Sequence, residues 1–143
     1  MSFPTVHFTR ERGIAIFLTN NTGAASIKGT LVHCSTSMNE AFEAQISQYD
    51  NIGVVYQDDV AQGQDCQVVI AGIAQVLLAD GTASTRGNWV IASTADGRAD
   101  ATQEIPPGGG VQEHDEHFKE VGHCLESKAA GTSVLAKIIL HFN

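Results

Sequence analysis

The sequence predicts an all-β (mainly β) fold, a small β-barrel or sandwich of short antiparallel strands. Three observations predict it. Apolar, β-prone runs recur along the chain, and turn residues interrupt them every ten residues or so. The last run carries apolar side chains on both faces, so it requires cover on both sides, from a second sheet, a closed barrel or a partner subunit. The chain has 143 residues, 43% of them hydrophobic and 17% charged. That suits one compact domain, and a chain of this size buries roughly 70% of the surface its unfolded form exposes.

Residues 1–13 read as an extended N-terminal arm. Pro4 blocks an early helix and Gly13 ends the segment. Phe3, Val6 and Phe8 are too apolar for a purely solvated tail. The arm is either a first strand packed on the domain's own core or a segment that docks on a neighbouring chain. Residues 14–143 form the β domain. Ile14 to Thr19 is apolar and β-prone, and Asn20-Asn21-Thr22-Gly23 closes it as a turn. Thr30 to Cys34 is the next strand. In 38–49, Phe42, Ala44 and Ile46 alternate with Glu43 and Gln45, which favours a strand over the helical stripe that Phe42, Ile46 and Tyr49 also fit.

Ile52 to Tyr56 follows, with Gly53 marking a bulge or a close backbone approach. Asp58-Asp59 and Gly63 mark a turn. Cys66 to Ile70 and Ile73 to Leu78 read as two strands separated by Gly72. Asp80-Gly81 turns the chain, Trp89 to Ala92 is a further strand, and Ala95-Asp96-Gly97 turns it again. Residues 97–117 read as a long irregular loop, because Pro106-Pro107-Gly108-Gly109-Gly110 fits neither a central strand nor a helix. A strand around Val121 to Leu125 precedes the Ala130-Gly131-Thr132 turn. In the final strand Val134, Ala136, Ile138, Leu140 and Phe142 share one face, and Leu135, Lys137, Ile139 and His141 the other.

Charge excludes some functions. Sixteen acidic residues against eight basic ones give a net −8. Nucleic-acid binding draws on Lys and Arg that neutralise phosphates, and here only Arg10 and Arg12 cluster. The same surplus argues against an anionic membrane surface. No leader-like apolar run opens the chain, and no stretch approaches the 18 or so apolar residues of a membrane helix. The expected partners therefore include no nucleic acid and no membrane. Cys34, Cys66 and Cys124 are odd in number and lack C-x-x-C spacing, so they read as buried free thiols.

Chemistry has one candidate. His114-Asp115-Glu116-His117, with His123 and Cys124 beyond it, offers zinc-ligand types. It follows a Pro/Gly loop, a poor base for rigid metal geometry. A small β-barrel metal-binding or enzymatic module using His114, His117 and His123 is the alternative reading. A solvated acidic segment is the plainer one, and no metal or other cofactor is expected. There is no G-x-S-x-G elbow and no phosphate loop. Trp89 reads as a core anchor. A sugar-binding sandwich would need an exposed aromatic platform, for which Trp89, Tyr49 and Tyr56 are the candidates beyond the phenylalanines.

The order of segments carries a resemblance. Asn51-Ile-Gly-Val-Val-Tyr, then Cys66-Gln-Val-Val-Ile-Ala-Gly-Ile-Ala-Gln-Val-Leu-Leu, then Gly81-Thr-Ala-Ser-Thr-Arg-Gly-Asn-Trp-Val-Ile-Ala-Ser and Ala95-Asp-Gly-Arg-Ala resemble tailed-phage capsid cement (head decoration) proteins. The closing Val121-Gly-His-Cys-Leu-Glu and Ala130-Gly-Thr-Ser-Val-Leu-Ala-Lys-Ile-Ile-Leu-His-Phe-Asn143 look like that family's C-terminal hairpin. The resemblance covers about residues 50–143 and rests on turn-and-strand patterns. It implies a β-barrel-like structural virion protein without catalytic residues, a homotrimer bound outside the shell of major capsid protein. The N-terminal arm and the 97–117 loop depart from the shortest family members. Both are irregular yet not purely polar. Phe3, Pro4, His7, Phe8, Arg10, Arg12, Pro106 and Pro107 within them are the expected capsid or intersubunit contacts.

Overall fold

The computed structural model describes residues 6–46, 49–102 and 118–142, and ten strands are bounded within them. They are β1 (His7–Phe8), β2 (Gly13–Asn20), β3 (Leu31–Cys34), β4 (Ala41–Ala44), β5 (Gly53–Val55), β6 (Asp65–Leu77), β7 (Trp89–Ala92), β8 (Ala99–Thr102), β9 (Glu120–Cys124) and β10 (Leu135–Leu140). The all-β expectation holds. Five of the strands close a ring, because β2 pairs with β4, β4 with β3, β3 with β5, β5 with β6, and β6 again with β2.

The expectation that every pairing is antiparallel fails at one place among the named strands. β2 and β4 run parallel, with Thr19 beside Ala41 and Asn20 beside Phe42. A ring with an odd number of strands cannot alternate direction all the way round, so one seam must be parallel. Each strand of the ring sends a residue to one cluster: Leu18, Val32, Phe42, Val55, and Cys66 with Val68. That cluster fills the ring. Loops close one end of it through two buried polar side chains. The Asn20 amide donates to the carbonyls of Val60 (2.8 Å) and Ala24 (2.9 Å), and its oxygen accepts from the Thr22 amide and hydroxyl. The Ser26 hydroxyl donates to Gln57 and accepts from Val60.

The second sheet grows from the same β6. Its residues Ile73 to Leu77 pair with β10, β10 pairs with β9, β9 with β7 and β7 with β8. Leu78, just past β6, bridges Ala99 and draws the sheet round. A second cluster lies beneath it. Ala74, Val76, Val90, Val121, Ala136 and Ile138 pack there with Ala15, Leu31, Val54 and Val69 from the outer wall of the ring.

β6 is therefore one strand, not the two read on either side of Gly72. Gly72 sits at φ +79 and lies opposite Gly13. Register shifts beside it: Ala15 faces Val69 while Ile14 faces Ala71, leaving Ile70 as an extra residue. Such a bulge bends and twists a strand without ending it, and turns its faces over. Before the bulge the even residues Cys66 and Val68 fill the ring; after it the even residues Ala74 and Val76 fill the second core. Gly53 marks a close approach, since a Cβ there would meet the Val69 carbonyl at 2.8 Å.

Other departures have local causes. Part of the N-terminal arm is a hairpin, in which β1 pairs with β2 through a turn where Thr9 and Gly13 bond and Arg12 takes φ +69. The segment read as an irregular loop holds β8, whose inward residues Ala99 and Ala101 are too small to register as an apolar run. β4 buries Phe42 but ends before Ile46, which is 69% exposed. Cys34, read as a buried thiol, is exposed at the end of β3, whereas Cys66 and Cys124 are buried. Trp89 is buried, as expected, but belongs to neither of the two apolar clusters. The final strand buries Ala136 and Ile138, but Ile139 on its other face is 44% exposed, so the expected cover on both sides is incomplete among the described residues.

Gly72→Ala should cost about 2 kcal/mol or more, because it adds positive-φ strain to a Cβ 2.6 Å from the Arg12 carbonyl. Gly63→Ala, at φ +81 with nothing within 4 Å, should cost only about 1 kcal/mol. Urea unfolding of both variants measures the difference, and equal costs would show that the close approach does not constrain β6.

Candidate interaction surface

The hairpin at the amino end presents four of the eight contact candidates, His7, Phe8, Arg10 and Arg12. Phe8 is 83% exposed and Val6 60%. His7 instead turns inward, its ring meeting Phe17 edge-on at 5.2 Å. In the turn, Glu11 is engaged by Lys28 at 3.5 Å, and that ammonium also lies over the Tyr56 ring. Arg10 and Arg12 are exposed on either side of it. The turn is thus a small positive spot on a chain of net charge −8. Phe3, Pro4, Pro106, Pro107, His114 and His117 lie outside the described residues.

Register extends this spot into a face. Ala15, Val69, Ala74, Ile138, Cys124 and Val90 all point into the second core. Their strand neighbours Ile14, Ile73, Ile139, His123 and Trp89 therefore point the other way, because side chains alternate along a strand. Phe8 lies beside Ile14, and Ile14 beside Ala71. One pleat further along β6, Ile73 lies beside Ile139, Ile139 beside His123, and His123 beside Trp89. An apolar band thus crosses six strands, with Phe8 and Ile139 its most exposed members. Leu77 and Leu135, further along the same face, are covered by the chain at Gly29, where an added Cβ would strike the Leu135 side chain. The band was missed in the sequence because Ile139 shares its face with Lys137 and His141, and because β6 was read as two strands.

Several other polar groups of the described residues are engaged within the fold. Of the cluster read as an alternative metal set, His123 and Cys124 are described; His123 stacks on Trp89 with parallel rings, centroids 6.4 Å apart, and Cys124 is buried. Among the described residues no three His, Cys, Asp or Glu side chains gather as metal ligands do. A cleft of about 270 Å³ runs between Ser26, Ile27, Thr30, Leu77 and Arg98. The Arg98 guanidinium on its wall donates to Asp80 (2.9 Å) and to the Leu78 carbonyl (3.1 Å), so it braces the end of β6. The Glu43 carboxylate accepts from Ser35 (2.7 Å), Asn21 (3.1 Å) and Ser37 (3.4 Å). The Ser35 bond above all, with smaller help from His33, Asn21 and Ser37, holds that carboxyl below its usual range against partial desolvation. Burial pushes the Cys66 and Cys124 thiols up.

No protein-family model matches the chain, and no curated protein does. A solved structure corresponds to it nearly end to end. The head fiber gp8.5 N base of bacteriophage phi29 superposes with a TM-score of 0.58 at 17% identity, over 89% of this chain and 92% of that one. At that identity the correspondence establishes a shared fold.

Two measurements check the chemistry. Iodoacetamide should label the native protein once, at Cys34, and the unfolded protein three times; fast labelling of more than one thiol in the folded state would contradict the burial. Glu43 has a depressed folded pKa, so the stability it contributes is present above its usual value of 4.5 and is lost as pH falls through the folded value. Glu43→Gln should flatten the acid side of the stability profile, read as the urea midpoint against pH.

Proposed function

We propose that this chain is a structural protein of a tailed-phage head, bound to the outer surface of the mature capsid, where it stabilises the shell by bridging major capsid protein subunits. The observation that carries the reading is the fold shared with a phage head fiber base over nearly the whole of both chains. The resemblance of residues 50–143 to capsid cement proteins points the same way. The role is structural rather than catalytic, it needs no cofactor, and the protein acts as a homotrimer. It is made in the host cytoplasm and ends on the virion exterior. Its single domain presents the segments 1–13 and 97–117, which carry the contacts to capsid and to neighbouring subunits.

The physical basis is linkage. A protein that binds only the expanded shell stabilises that state by RT ln(1 + [L]/Kd), about 2.7 kcal/mol per site at a hundredfold excess over Kd. Repeated over a lattice, modest contacts resist reversal and rupture. A trimer adds avidity by engaging several capsomers together.

Purified full-length protein should co-sediment with mature heads that lack it and raise the temperature at which they release DNA. Failure to bind such heads would overturn the reading. Removing residues 1–5 leaves every described strand intact and should weaken head binding about tenfold, the equivalent of 1.4 kcal/mol. Unchanged binding would remove Phe3 and Pro4 from the contact set.

A further inference from the structure

We infer that the apolar band from Phe8 to His123 docks an extended acidic segment of a partner protein, one in which carboxylates alternate with apolar side chains. The inference deepens the proposed function and rests on it for the partner, the protein of the capsid shell. The chemistry of the occupant is read from the band itself. Its flattest part is the row Ile73, Ile139 and His123, with Ile139 44% exposed. Cations border that row. Lys137 and His141 stand on the same face of the last strand, one pleat to either side of Ile139, and both are exposed. Arg12 adjoins the end of the row, where its carbonyl accepts from the Ile73 amide. Arg10 is exposed in the same turn.

Charge selects the occupant. The Lys137 ammonium and the Arg10 and Arg12 guanidinium groups meet no carboxylate among the described residues. The acids around them are already engaged. His141 holds Glu120, which is 4% exposed, at 3.0 Å, and Lys28 holds Glu11 at 3.5 Å. Glu126 accepts from the Lys137 amide and lies 3.9 Å from Lys128, and Asp100 accepts from the Thr82 hydroxyl. The band is thus an apolar strip bordered by unpaired positive charge, on a chain whose net charge is −8. A nucleic-acid strand would leave the isoleucines uncovered. An acidic peptide with apolar side chains covers them and neutralises the border. Spacing fits an extended chain. Same-face residues of a strand recur every second residue, at a rise of roughly 3.3 Å per residue. A segment laid along the last strand therefore sets a carboxylate on Lys137 while its next same-face apolar side chain reaches Ile139.

The test measures binding of a fluorescein-labelled peptide of repeating Asp-Ser-Val-Ser to the full-length protein by fluorescence anisotropy, beside a Lys-Ser-Val-Ser peptide of reversed charge. The acidic peptide should bind, less tightly as salt rises, and the basic one at least about tenfold more weakly. Lys137→Glu, Arg12→Glu and Ile139→Thr should each raise the dissociation constant about tenfold. All three side chains are exposed, so the variants should fold, and unfolding midpoints near that of the parent confirm it. A basic peptide that binds as well as the acidic one, or an acidic peptide indifferent to the three substitutions, would overturn the inference. Failure of the parent to bind the acidic peptide would overturn it too, and a parent that self-associates instead would give the band to a second copy. The same variants are then sedimented with heads. Weakened head binding supports the partner assigned here, whereas head binding that survives all three substitutions refutes it. A parent that binds the peptide through the band yet never binds heads would instead sink the proposed function and leave the chemistry of the band standing.

Discussion

The structure depends on one strand serving two sheets. β6 spans Asp65–Leu77, pairs with β2 and β5 through its first half and with β10 through its second. Strands on both edges of its first half and β10 along its second leave little freedom to shift register. The bulge at Ile70 and the Gly13–Gly72 approach then decide which residues face which core. If that bulge were lost, every side chain beyond it would change face, and Ala74, Val76 and Leu78 would leave the second core for solvent. The two cores are therefore coupled through the geometry of a few residues as well as through the ring wall, whose Ala15, Leu31, Val54 and Val69 face the second core.

That coupling explains why the sequence revealed the parts better than their arrangement. Strand positions were legible where branched apolar residues lie between turn residues, as at Ile14 to Thr19, Trp89 to Ala92 and the final strand. β8 was not legible, since Ala99-Asp-Ala-Thr102 offers only small inward side chains. Barrel closure was allowed by the pattern but not its parallel seam between β2 and β4, which follows from the number of strands in the ring and has no local signature. Gly72 was rightly read as a break in pattern. Whether such a glycine ends a strand or bends it depends on what approaches it, and here that is Arg12 and Gly13, some sixty residues away in sequence. Of the expected contact set, the register of β1 explains the difference between His7 and Phe8: one faces Phe17 and the other faces water.

The distribution of polar groups bears on the kind of work this molecule does. Asn20, Ser26, Glu43 and Arg98 each spend their hydrogen bonds on loops and strand ends of the chain itself. Satisfied networks of this sort rigidify a fold. The raised Cys66 and Cys124 thiols are poor nucleophiles, because desolvation disfavours the thiolate. Outside those networks lie exposed apolar side chains such as Phe8 and Ile139, and the turn that carries Arg10 and Arg12.

A rigid body with such a surface suits a lattice role for a thermodynamic reason. A stabilising ligand helps a shell only by the free energy left after its own ordering cost is subtracted. In such a role a barrel fused through β6 to a second sheet would bring its strands to the contact already ordered. If copies associate as proposed, each body meets the shell as part of a larger unit, and the later contacts form at high effective concentration. Weak individual contacts suffice under that arrangement, which is consistent with a sequence whose only recognisable motifs are those of strands and turns.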